Sequence, residues 1–201
     1  MAMPLLEEPP SSSPLSSLTE PKTDQPHTRR ATLRDARAIH QLIDSFTSDG
    51  TLLPRSYNEI SQNIHTFTVA ETISGQFLGC ASLHVYSSHF AEIRSVAVHR
   101  DTMRKGAGSL LIHALLDQAE ASGIKCVCLF TRVPAFFERL HLRIVDRQNF
   151  QDKIMKDCIH CPRHHACDET AMFFGELPQS GLTAGTFFRS TTATNLVQLQ
   201  L

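Results

Sequence analysis

A chain of 201 residues is long enough for one well-buried domain of roughly 150 residues with flanking tails. Lys and Arg number 19 against 20 Asp and Glu, giving a net charge of −1 and a pI near 6.8, so nothing global suggests nucleic acid or an anionic membrane surface. Any basic site must be local.

Residues 1–27 are rich in Ser and Pro, include Glu7, Glu8 and Glu20, and contain no apolar run that could form a signal h-region or a membrane span; a disordered tail of a cytoplasmic protein is expected. From Arg29 the pattern changes. A short strand is followed by a helix carrying Ala36, Ile39, Leu42 and Ile43 at helical spacing, with Thr32 as its cap. Asp49-Gly50 makes a turn, Pro54 stops any preceding helix, and Ser56 caps a second helix through Ile60 to Ile64, which fixes Arg55 at a helix entrance. Phe67–Glu71 and Gln76–Val85 read as a hairpin about Ser74-Gly75.

The most informative stretch runs from Glu92 to Leu111. Ile93 to Val98 is a buried strand, a polar connection follows, and Gly106-Ala107-Gly108 opens a helix with Leu111, Ala114, Leu115 and Ala119 on one face, ending at Gly123. Gly106 and Gly108 let the backbone approach a bulky ligand, and the unpaired amides of a helix start favour a pyrophosphate there; a tight turn with close packing explains the same glycines. No P-loop is present, and the third glycine of the dinucleotide fingerprint is missing. Cys126–Phe130 is then a buried strand closing a strand, helix, strand crossover, Pro134–Leu140 a short helix with proline in its first turn, and Ala171–Phe174 a last strand.

A strand ending in Ala-Val before a Gly-x-Gly helix start resembles the acetyl-CoA signature of the GCN5-related N-acetyltransferases. Gly50-x-Leu52-Leu53-Pro54-Arg55-Ser56, Gly79-Cys80-Ala81-Ser82-Leu83, Ala91-Glu92-Ile93-Arg94-Ser95-Val96-Ala97-Val98, Phe136-Phe137-Glu138-Arg139-Leu140, and Cys158-x-x-Cys161-Pro162 through Cys167-Asp168-Glu169-x-Ala171-Met172 narrow it to the short amino-acid N-acetyltransferases related to the acetyltransferase domain of N-acetylglutamate synthase. The resemblance covers residues 28–176. It implies an α/β (α+β) fold with a mixed central sheet of about six to seven strands and about four helices.

The resemblance also implies a mechanism and a site. Acetyl-CoA would be the co-substrate, its thioester and pantetheine bound by main-chain groups of Val96, Ala97 and Val98 on a strand splayed from its neighbour, and its pyrophosphate by Arg104, Lys105, Gly106, Ala107, Gly108 and Ser109. Glu92 would take a proton from the acceptor amine through water; an ion pair with Arg94 or a neighbour is the competing reading. Arg55, with Ser56, Arg94 and Thr131, would line the acceptor side, Arg55 clamping a substrate carboxylate and Thr131 serving the leaving thiolate. Three departures stand out: Met103 occupies the signature's Arg or Gln position, Leu140-His141-Leu142 replaces Leu-Gly-Phe, and the short helix has phenylalanines where the superfamily often places a tyrosine acid.

The segment 157–168 sets Cys158, Cys161 and Cys167 in a Cys-x2-Cys-x5-Cys array with His164 near, enough ligands for a structural zinc, although free thiols of a reduced compartment fit equally. The expected acceptor is a small-molecule amino acid, glutamate first, feeding arginine synthesis. Expected partners exclude nucleic acid and membrane, and a homodimer stays open. Another amino acid, amine or peptide terminus as acceptor, or a non-catalytic acetyl-CoA-binding or zinc-stabilised module, are the alternatives. A poorly ordered tail is expected over 177–201.

Overall fold

The computed structural model describes residues 25–103 and 105–177. The expectations for the chain before residue 25 and after 177, and for Arg104, lie outside the described residues. The strands are β1 (Pro26–Arg30), β2 (Phe67–Thr72), β3 (Phe77–Ser87), β4 (Phe90–Val98), β5 (Cys126–Thr131), β6 (Arg143–Ile144) and β7 (Thr170–Gly175); the helices are α1 (Ala36–Asp44), α2 (Tyr57–Gln62), α3 (Ala107–Ala121), α4 (Pro134–Glu138) and α5 (Gln151–Lys156). All seven strands join one mixed sheet in the order β1-β2-β3-β4-β5-β7-β6, which matches the expected architecture. Among the described residues only β4 and β5 pair in parallel, and α3 makes the crossover that parallel pairing requires.

Local chemistry explains most of the boundaries. The Asp35 carboxylate accepts from the Thr32 backbone N–H at 2.7 Å and its hydroxyl at 3.0 Å, tying off the turn that leads into α1. Ser56 accepts from the Glu59 N–H at 3.1 Å and starts α2. Helix α3 buries Leu111, Ile112, Leu115, Leu116 and Ala119 and ends before Gly123, whose φ of +76° lies where residues with a Cβ rarely go.

The period of two along the strands gives the sheet two different sides. Ala91 and Ile93 of β4, Val127 and Leu129 of β5 and Met172 of β7 meet α3 and the Phe137 to Leu142 segment in one apolar cluster. On the opposite side, α1 and α2 cover Val69, Cys80 and Ala97, while Phe150 covers Phe90, Cys126, Cys128 and Phe173. The thiols of Cys80 and Cys126 are pushed up by burial, to about 12 and about 11, so both are protonated packing groups.

Residues 143–156 carried no sequence expectation, and they hold β6 and α5. Both residues of β6 are exposed and α5 buries none of its six side chains completely, so neither element shows the apolar periodicity by which it could be read.

Candidate active site

The pairing of β4 with β5 stops early. It covers Phe90↔Cys126, Ala91↔Val127 and Glu92↔Cys128, after which the two strands part and the Ile93–Val98 edge has no β5 partner. On the other edge, β4 pairs with β3 through a bulge, because Cys80 faces Ala97 while Ser82 faces Arg94, leaving Ser95 and Val96 opposite one residue. Ser95 sits at φ +55°, one of two non-glycine residues with positive φ among the described residues. A split with unpaired main-chain groups can accept the amides of an extended ligand as a missing strand would. The splay expected at Val96, Ala97 and Val98 is present.

Helix α3 begins where the split opens. Gly106 is its N-cap at φ +87°, so a side chain there would be strained even though no atom stands within 4 Å of its Cβ position. The first amides of this 15-residue helix, around Ala107, Gly108 and Ser109, have no intrahelical acceptor, and Lys105 beside them is exposed. Gly108 has a second reason to lack a side chain: its Cβ would come to 3.3 Å from the Phe136 ring. The glycine pair thus serves packing as well as access. Open main-chain groups, orphan amides and a nearby cation together fit the diphosphate and pantetheine of a coenzyme A thioester. Met103 is half exposed at the same rim.

Against the bulge, on the α1 and α2 side, lies a cavity of about 110 Å³ lined by Arg55, Glu59, Ser82, His84 and Arg94 together with apolar residues of α2 and β2. Arg55 is held at the α2 entrance, its Nε donating to the Ser95 hydroxyl at 2.7 Å and its guanidinium paired with Glu59, whose side chain is 44% exposed. Ser56 spends its hydroxyl on the helix cap. Thr131, almost fully buried at the end of β5, accepts from the Val133 N–H at 3.0 Å, which leaves its own proton free to be given.

Glu92 is 4% exposed and both of its oxygens are engaged: Oε1 lies 2.5 Å from Lys153 Nζ, and Oε2 lies 3.0 Å from Arg94 and 2.8 Å from the Tyr86 hydroxyl. Asp157 completes the cluster, 3.1 Å from Arg94 and in contact with Tyr86. The ion pair weighed from the sequence against a proton-accepting role is the arrangement found, and a proton acceptor at Glu92 would first have to release a cation. Burial acts to lower the Lys153 pKa, but Glu92 more than offsets it and the ammonium is held charged. Lys153 and Asp157 were missed in the sequence because α5 carries no pattern, and their only signal is the buried carboxylate they answer.

His84 was missed as well. It stands in the cavity wall with Arg55 and Arg94, its ring edge-on to Tyr86 at 4.7 Å. Burial first, and then the Arg94 charge, lower its pKa below 6.5, so the imidazole is neutral near pH 7.

The zinc expectation is not supported: among the described residues no three His, Cys, Asp or Glu side chains come together as ligands. Cys167 accepts a hydrogen bond from Arg147 at 3.3 Å, and His164 packs edge-on against His165 at 4.9 Å, so the geometry spends these groups on other contacts. The segment braces the turn before α2 instead, with Arg132 bonded both to Asp168 and, at 2.6 Å, to the Gly50 carbonyl.

Residues 34–141 match the family model described as acetyltransferase (GNAT) family. An uncharacterized N-acetyltransferase of Chlorobaculum tepidum is 36% identical over 72% of this chain and 92% of its own length. An amino-acid acetyltransferase of Pasteurella multocida is 30% identical over 62% of this chain, which amounts to 29% of that longer protein. The crystal structure of Rv2747 from Mycobacterium tuberculosis in complex with CoA and NLQ superposes with a TM-score of 0.65 at 25% identity, covering 75% of this chain and 99% of that one.

Proposed function

This chain belongs to the acetyltransferase (GNAT) family of acetyl-CoA-dependent N-acetyltransferases, and from that premise we propose that it acetylates the α-amine of an amino acid carrying a second carboxylate, L-glutamate first. The observation that carries the reading is the convergence of two guanidinium groups, Arg55 and Arg94, on one cavity beside the split in the sheet. An amino acid with two carboxylates presents two acceptors for charge-assisted hydrogen bonds and one nucleophilic nitrogen. Arg55 exchanges Glu59, an exposed partner, for a substrate carboxylate at little cost. Arg94 is fixed from behind by Glu92, Asp157 and Tyr86, and its Nε is buried without a partner. The Pasteurella relative's name supports an amino-acid acceptor, and arginine synthesis is the pathway in which we place the reaction.

Acetyl-CoA supplies an activated acyl group. The chain's own contribution is to seat the thioester along the unpaired edge of Val96, Ala97 and Val98, with Lys105 and the α3 amides on the diphosphate, and to aim the acceptor nitrogen at it by holding the carboxylates. Thr131, whose hydroxyl accepts from the Val133 N–H and keeps its own proton, would give that proton to the departing sulfur.

Coenzyme A thiol release should be measured across the free amino acids. Glutamate is expected to give the highest kcat/KM, and Arg55→Ala to raise its KM at least tenfold, about 1.5 to 3 kcal/mol for a charge-assisted contact, with acetyl-CoA affinity unchanged. Arg55→Lys should restore little, because the fork is lost. A neutral amino acid turned over as well as glutamate, or a parental KM in Arg55→Ala, overturns the dicarboxylate reading.

A further inference from the structure

Of the polar side chains lining the cavity, Arg55, Glu59, Asn63, Thr66, Ser82 and Arg94 each hold a bond within the protein, to Ser95, Arg55, the Glu59 carbonyl, the Asn63 carbonyl, the Arg94 carbonyl and Tyr86 respectively. His84 takes part in none of these bonds. It faces the same space from β3, two residues beyond Ser82 and directly across from Glu92 in the β3–β4 register. We propose that His84 receives the proton released by the acceptor ammonium, while Glu92 acts behind it as a positioning residue that anchors Arg94 and Lys153. The inference rests on the amine-acetylating reading above but not on which amino acid is the acceptor.

The reasons are geometric first. A base must reach the nitrogen in the cavity, and the Glu92 carboxylate does not line that cavity while both of its oxygens are engaged by cations. The charged and titratable groups around His84 are Arg55 and Glu59 from α2 and its entrance, Tyr86 from its own strand, Glu92 and Arg94 from β4, and Asp157 beyond α5. Burial first, and then the Arg94 charge with a smaller share from Arg55, outweigh the Asp157 and Glu92 carboxylates and keep the ring unprotonated and able to accept.

The step balances without another reactant. The imidazole lone pair takes one proton of the ammonium, the freed nitrogen lone pair attacks the thioester carbonyl carbon, the C–N bond forms and the C–S bond breaks with its electron pair on sulfur. The second proton lost by nitrogen ends on the sulfur as a thiol, and the imidazolium returns its proton to water.

The test is the pH profile of kcat/KM for parent, His84→Gln, His84→Asn and Glu92→Gln, run with whichever free amino acid the parent acetylates fastest, so that a wrong guess at glutamate leaves the result intact. The parent should lose activity as pH falls through an acid limb below 6.5, the ordinary histidine value. Both His84 variants should lose that limb and fall roughly a hundredfold at pH 7, with acetyl-CoA KM unchanged, and added imidazole should restore part of the rate. Glu92→Gln should keep the limb. A limb that persists in the His84 variants, or one that vanishes only in Glu92→Gln, overturns the proposal; a parent that acetylates no amino acid overturns the functional reading and this inference with it.

Discussion

On the α3 side of the sheet, side chains from β2 to β5 and β7 meet Leu111, Ile112 and Leu115 in one unbroken apolar cluster, whereas the side facing α1, α2 and α5 breaks into two apolar clusters with Glu92, Arg94, Lys153 and Asp157 between them. One sheet carries both arrangements. The α3 side has only to hold the sheet and present its own N-terminus, and apolar burial does that without directional constraint. The other side has to hold a polar cavity open at the β4 bulge, which requires groups fixed by directional bonds; next to those groups the Tyr86, Phe90 and Phe150 rings stack at 5.2 and 5.4 Å.

If the two sides differ in this way, damage to them should differ in whether a compensating change repairs it. Leu115→Ala and Lys153→Met should each cost about 3 kcal/mol in urea unfolding, the first through a cavity and the second by leaving Glu92 one cation short. Adding Glu92→Gln to Lys153→Met should recover most of that loss, since the unpaired buried charge is removed, and no single polar change should rescue Leu115→Ala. A Glu92→Gln and Lys153→Met double variant as unstable as Lys153→Met alone would show that the charged strip is held by more than its ion pairs.

Acidification should separate the two sides more gently. Burial acts to raise the Asp157 pKa, but the Tyr86 hydroxyl and the Arg94 and Lys153 cations outweigh it, and the carboxyl titrates below its ordinary 3.8. A depressed folded-state pKa contributes stability that is present above the unfolded value and lost as pH falls from there through the folded one. The melting temperature of the parent should therefore drop faster on going below 3.8 than that of Asp157→Asn; identical slopes would remove Asp157 from the account.

The smallest expected effect lies on the α3 side. His141 sits at φ +65°, and the Leu142 and His141 amides bond back to the Phe137 and Glu138 carbonyls in the turn that ends α4. His141→Gly should stabilise the protein by about 1 kcal/mol, because a Cβ in the left-handed region costs that order of energy while the ring is exposed and packs little. A neutral or negative change would mean that the imidazole makes up the strain.

That turn was visible in the sequence only as a departure from a pattern with glycine at the same position. Much else was more direct. The Gly-x-Gly helix start, the Ser56 cap and the hairpin at Ser74-Gly75 could be read because each is set by residues within a few positions of one another, whereas Thr32, expected to cap α1, heads the short turn before it and Asp35 stands at the N-cap. Arg55 and Arg94 could be picked out as candidates for the acceptor side, and the structure sets both in the wall of one cavity.

What only the tertiary structure decided is who answers whom across long separations. Lys153 meets Glu92 from 61 positions away, Asp157 meets Arg94 from 63, and the link that seats Arg55 on Ser95 spans 40. A carboxylate at Glu92 has the same residue name whether it faces a substrate or two cations. The chain that folds back as α5 makes that choice, and its short helix, with no side chain fully buried, carries no periodic pattern to announce it.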